Sequence, residues 1–277
     1  MTVIATSPSA IKNEQIRFVD VVRAEWTKFR SVRSSRWSLA VLAATVIGAS
    51  ALLAGVQRGD WATMSGSDRH DLLADPVGST LIMGMLWGSI VAAVLGVTVI
   101  SGEYSTGAIR STTLAVPRRG RFLAAKAVVL GGAVLITSEV AAFVAFFISR
   151  AMLPADVPMS LSHAGTALAV TGVGLSVTVF ALLAMSLGSL IRHTAGGVAA
   201  ALALVAVVPT LTAGLAGRAG AYLNTFLPGG NAAKNIVSTG SGHSDSVLSA
   251  WPSFAVSCGW VVLLGAVAAW LLVRRDA

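Results

Sequence analysis

The chain has 277 residues, of which 55% are hydrophobic and only 12% charged, against about 25% charged in an average soluble domain. That balance, with a mean hydropathy of +0.78, excludes a large soluble core and points to several membrane spans. The net charge of +8 is divided among separate loops and so does not mark a nucleic-acid surface; the one cysteine, Cys258, excludes an internal disulfide or a cysteine metal cluster.

Residues 1–10 are small and polar and are expected to be disordered. The segment 11–37 reads as an amphipathic interfacial helix, because Phe18, Val19, Val22, Trp26 and Phe29 recur at helical spacing. Arg23, Lys28, Arg30, Arg33 and Arg36 flank that stripe. A basic helix with a Trp-bearing apolar face lies against anionic headgroups, and Trp37 belongs at the same depth. The charged residues before the first apolar run do not fit a cleavable signal peptide.

Six apolar runs follow, at about 38–56, 79–100, 125–148, 164–187, 195–216 and 253–273. Each is long enough to cross about 30 Å of hydrocarbon as a helix. Helices are required, since open strands would leave backbone groups unpaired in lipid. The expected fold is therefore an all-α membrane protein with six transmembrane helices behind an interfacial helix. With both termini in the cytoplasm, segments 1–37, 101–126, 188–194 and the tail 274–277 carry 15 of the 20 Lys and Arg residues. The bias favours that orientation.

The most basic connection follows the second run and reads SGEYSTGAIRSTTLAVPRRGRFLAAK from Ser101 to Lys126. Arg118, Arg119, Arg121 and Lys126 form a basic run at the membrane surface. That run alone would anchor topology. The preceding Glu103, Tyr104, Thr106, Gly107 and Arg110 add polar and aromatic shape suited to a cytoplasmic protein partner. At the opposite side, 217–252 fits either two short helices dipping around Pro228-Gly229 or a plain loop. Gly84 and Gly88, and the small residues from Gly196 onward, mark close helix contacts within one chain or between two.

Glu139 is the clear charge inside a span, where a carboxylate costs about 2.5–3.5 kcal/mol on insertion scales. It reads either as part of a substrate path or gate, or as a packing contact to Thr166, Thr171 or Ser176. No phosphate-binding G-x-x-x-x-G-K-[ST] loop and no H-E-x-x-H helix occurs. The four histidines are scattered, so neither a catalytic residue nor a metal ligand is nominated.

Together these features resemble the type-2 permeases of ABC (ATP-binding cassette) transporters, the actinobacterial members especially. The resemblance rests on Ala24-Glu25-Trp26-Thr27-Lys28, the Glu103-x-x-x-Gly107 loop, Pro117 and Lys126, and spans nearly the whole chain. Where many members carry Glu after the Gly-Thr-hydrophobic segment, this chain has Arg110, which reverses the charge there. The resemblance implies a transport subunit rather than an enzyme. It binds no cofactor itself; ATP and Mg belong to two separate ABC ATPase subunits. A second permease chain would complete the complex, as a homodimer or heterodimer, in the plasma membrane. The Glu103 loop and the interfacial helix around Trp26 and Lys28 would receive the ATPase, and the cargo would be a hydrophobic or amphipathic drug, peptide or lipid moving outward. The rival expectation is a secondary carrier or channel using Glu139 as an ion site.

Overall fold

The computed structural model describes residues 17–105, 107, 119–214, 218–229, 235–239 and 248–274. Among these, every regular element is a helix. The interfacial helix α1 (Phe18–Ser31) is followed by α2 (Arg33–Gly59), a short α3 (Gly66–Ala74), α4 (Pro76–Ser105), α5 (Arg119–Met152) and α6 (Thr166–Ile191). Then come α7 (Thr194–Leu202), a π turn (Ala203–Val207), α8 (Val208–Ala213), α9 (Arg218–Phe226) and α10 (Ala250–Arg274). Six of these units are long and apolar enough to cross a membrane: α2, α4, α5, α6, the α7–π–α8 unit and α10. Six crossings put α1 and the end of α10 at one end of the bundle, the terminal end; the opposite end is the far end.

The expected helix over 11–37 is not continuous. Val32 is extended, with φ −79° and ψ 117°, and is at once the C-cap of α1 and the N-cap of α2. Trp37 therefore belongs to the first span, where it is exposed. The apolar stripe of α1 also divides. Val21, Glu25 and Phe29, four residues apart, face the bundle, while Phe18, Val19 and Trp26 keep an exposed edge. Trp26 stacks on Phe29 across that border, with ring centroids 6.3 Å apart.

α6 lies at the centre, buried along nearly its whole length, which fits a run with no polar face. Small residues bring its neighbours in. A Cβ on Gly84 would stand 2.6 Å from the Val46 carbonyl of α2, and one on Gly88 would stand 2.5 Å from a Val46 methyl. The G-x-x-x-G pair is thus a contact between two spans of one chain. Gly96 of α4 lies directly against the Ala181 carbonyl of α6. Replacing it with Ala should force the two helices apart, at about 1–3 kcal/mol. Thermal unfolding in detergent checks this, and an unchanged midpoint would show that the interface yields freely.

The fifth span is interrupted for a local reason. Pro209 has no N–H for the Val205 carbonyl four residues back, and its ring would clash there. The wider π turn over Ala203–Val207 absorbs the mismatch. Gly229, at φ +85°, places its backbone against that same Val205 carbonyl. Val205 lies eight residues inside the far end of the span, about 12 Å at the helical rise. The turn after α9 therefore dips into the bundle. Asn224 of α9 donates to the Pro209 carbonyl at 2.6 Å, and the Trp260 indole of α10 donates to the Phe226 carbonyl at 2.8 Å.

A second far-end piece, 235–239, buries Ile236 and Val237 in the main core. Asp75, just before α4, accepts from the Thr239 N–H at 2.9 Å, the Thr239 hydroxyl at 2.7 Å and the Gly78 N–H at 2.9 Å. One carboxylate thus caps a span and pins this segment. Asn235 adds donors to the Leu248 carbonyl and the Ser253 hydroxyl at the start of α10.

Candidate functional site

At the terminal end, four charged side chains from three elements close into a ring. Glu25 and Lys28 come from α1, Glu103 from the last turn of α4 and Lys126 from the second turn of α5. Lys126 Nζ donates to Glu25 Oε2 at 2.7 Å and to Glu103 Oε1 at 2.9 Å. Lys28 Nζ donates to Glu25 Oε1 at 2.8 Å and to Glu103 Oε1 at 2.7 Å. Two acids and two ammonium groups alternate, so the ring is neutral. Phe122 lies beneath both cations, 5.8 Å from Lys28 Nζ and 5.2 Å from Lys126 Nζ.

The ring is unevenly buried. The side chains of Lys126, Glu25 and Glu103 are 4%, 5% and 9% exposed, whereas that of Lys28 is 42% exposed. Burial pulls the Lys28 ammonium toward neutrality, but its bonds to Glu103 and Glu25 outweigh this and raise its pKa above the ordinary 10.5. A raised lysine pKa stabilises the fold fully below the ordinary value and loses that contribution only as pH climbs through the raised one. Lys28 therefore keeps its charge, and its bonds to the two carboxylates, across the neutral range. Glu103 Oε2 is buried and has no donor among the described residues.

The end of α4 is held on its other side as well. Arg192, the αL residue that ends α6 at φ 59°, places its guanidinium 5.3 Å from the Tyr104 ring centroid. The Tyr104 hydroxyl reaches the Ser189 carbonyl at 3.5 Å, and the Thr194 hydroxyl donates to the Ser101 hydroxyl at 2.8 Å. One helix end is thus clasped by α1 and α5 through ion pairs, and from the α6–α7 side by the Arg192 cation on the Tyr104 ring and by hydroxyl contacts. Any force on this end reaches five elements.

The residues singled out in the sequence fall in three groups. Lys28, Glu103 and Lys126 meet in the ring, and Tyr104 joins the second clasp. Gly107 adopts φ +70°, which favours glycine, with open space around it. Arg30 and Arg121 are exposed; Phe29 is buried beside the ring, and Trp26 stacks on it from outside. Thr106, Arg110 and Arg118 lie outside the described residues, and for Arg119 only the backbone at the start of α5 is described. Glu25 was not nominated as a site residue. The sequence places this acid midway between Val21 and Phe29 at four-residue steps; that this is the covered face, where an unpaired charge would be untenable, is read from the structure.

Glu139 is remote from the ring, twenty residues along α5. Its Oε2 is buried without a donor, and its carboxyl fills a notch left by Gly174 of α6, whose Cβ would come within 2.6 Å of Glu139 Oε1. Thr171 spends its hydroxyl on the Ala167 and Leu168 carbonyls of its own helix, and neither Thr166 nor Ser176 forms a hydrogen bond to Glu139. Replacing an unsatisfied buried polar group by an apolar one of similar shape is neutral or stabilising. Glu139→Met should therefore keep or raise the melting temperature measured in detergent. A clear loss of stability would mean that the carboxylate has a partner in the folded protein.

Among the described residues, no three His, Cys, Asp or Glu side chains converge as a metal site. The family model described as ABC-2 family transporter protein matches residues 21–277, nearly the whole chain. No curated protein matches.

Proposed function

We propose, for a chain that belongs to the ABC-2 family of transporter proteins and is a permease subunit of an ABC transporter, that it exports a hydrophobic or amphipathic cargo. ABC ATPase subunits associate with such a permease. In this reading two of them, carrying ATP and Mg, dock on the terminal end, which faces the cytoplasm. A second permease chain, identical or homologous, completes the complex in the plasma membrane.

The observation that carries the reading is the Glu25–Lys28–Glu103–Lys126 ring. It ties the interfacial helix to the end of α4 and the start of α5, the two spans joined in sequence by the 106–118 connection. A push on that connection does not bend one loop alone; it moves α1, α4 and α5 as a unit. α4 then transmits the movement to central α6 through the close Gly96–Ala181 approach. ATP biases the membrane part only if the ATPase contacts differ between its open and closed forms. The far-end segments pinned by Asp75 and Asn224 form the outer closure that such a movement would release.

The test is reconstitution in lipid vesicles with and without the ATPase. Transport should require ATPase and nucleotide, and cargo should stimulate hydrolysis. The unpartnered carboxyl of Glu139 is the observation that favours a secondary carrier. Uphill transport by the chain alone on an ion gradient, abolished by Glu139→Gln, would establish that reading and remove the one proposed here.

A further inference from the structure

A cavity of about 550 Å³ opens beside the ring, between α1, the start of α2, the end of α4 and the start of α5. That lies within the roughly 300–1,000 Å³ of small-molecule sites. Its walls change character with depth. Glu25, Lys28, Glu103 and Lys126 line one end, with Ser34 and Ser35 at the start of α2. Val94, Leu95, Val99 and Val129 line the deeper part, interrupted by the hydroxyls of Ser38 and Thr98. From Glu103 to Val94 along α4 is nine residues, about 13 Å at the helical rise. The polar end is thus near the membrane surface and the apolar end is in the acyl region, as an amphiphile requires.

We propose that this cavity is a specific site for an aminophospholipid of the leaflet at the terminal end. The charges select the headgroup. Glu103 Oε2 lacks a donor, and an ammonium group supplies one. Lys28 has three N–H donors, two of them used on Glu25 and Glu103. Its side chain is 42% exposed, so it can serve a phosphate with the third. The ring is neutral, and a zwitterionic headgroup keeps the buried cluster neutral, where a net anion or cation would leave a charge uncompensated. Phosphatidylcholine carries the same phosphate but no N–H; phosphatidylglycerol carries no ammonium. One acyl chain would run along Val99 and Val94. The site depends on the membrane placement of the ring and not on which cargo moves or in which direction.

The experiment uses the full chain, purified and equilibrated with equal amounts of dioleoyl phosphatidylethanolamine, phosphatidylcholine and phosphatidylglycerol, and read by native mass spectrometry. A hydrogen bond to a charged group predicts that phosphatidylethanolamine is retained roughly tenfold over phosphatidylcholine. Val99→Trp, which obstructs the apolar part of the cavity, should abolish the preference. Val94→Trp obstructs it from the half-exposed wall and serves if the first variant does not fold. Equal retention of the two zwitterions, preferential retention of phosphatidylglycerol, or a preference that survives both tryptophans would each overturn the assignment. Because the readout needs neither ATP nor a partner, a failed transport assay leaves this result unaffected.

Discussion

Lys126→Met is expected to cost about 3–5 kcal/mol of stability, the range for removing one partner of a buried ion pair. Lys126 is 4% exposed and holds one oxygen each of Glu25 and Glu103. Without it, two carboxylates share the single, half-exposed Lys28 ammonium. The methionine fills the space but neutralises nothing. Lys28→Met should cost much less, because solvent already screens that cation. Thermal unfolding of both variants in the same detergent measures the difference. Equal losses would mean that water reaches the ring and that its burial is not what makes it rigid.

The architecture was legible where the physics is local and obscure where it is not. Six runs of membrane length announce six helices, and six helices long and apolar enough to cross a membrane are what the fold contains among the described residues. The Gly84–Gly88 spacing announces a close contact but not its partner. Hydrophobic runs carry no address, so nothing in the sequence says that α6 is central or that Gly88 meets Val46. The break at Val32 was hidden because Val, unlike Pro or Gly, is only a mild helix breaker. The ring was half visible. Glu103 and Lys126 stood out as charges of the polar connection between the second and third runs, but not as partners of one another. Glu25 was hidden among the charges of α1, since a sequence shows which residues share a helical face but not which face is covered. The turn at Pro228-Gly229 was legible as a turn, but not that Gly229 sits against the carbonyl that Pro209 leaves unmatched.

Glu103→Gln is expected to separate ATP hydrolysis from transport, and the size of the effect follows from what the ring does. Glutamine keeps the shape and one acceptor for Lys28 and Lys126, so assembly with the ATPase should survive. It removes one negative charge, leaves the ring cationic, and places an amide NH₂ at the position of Oε2, which has no partner. If closure of the ATPase is transmitted through this cluster, the coupling free energy at stake is about 1–3 kcal/mol, or about 5- to 150-fold in a binding equilibrium, and the cargo moved per ATP hydrolysed should fall with it. The informative comparison is Glu25→Gln. It removes the same charge from the same ring, but from α1 rather than from the helix that leads into the 106–118 connection. A ring acting as a unit makes the two losses similar and the double variant scarcely worse than either, because interacting groups are not additive. A wild-type ratio of cargo to ATP in Glu25→Gln beside a large loss in Glu103→Gln would instead mean that Glu103 meets the ATPase directly. The buried geometry, with 9% of the Glu103 side chain exposed, favours transmission through the ring.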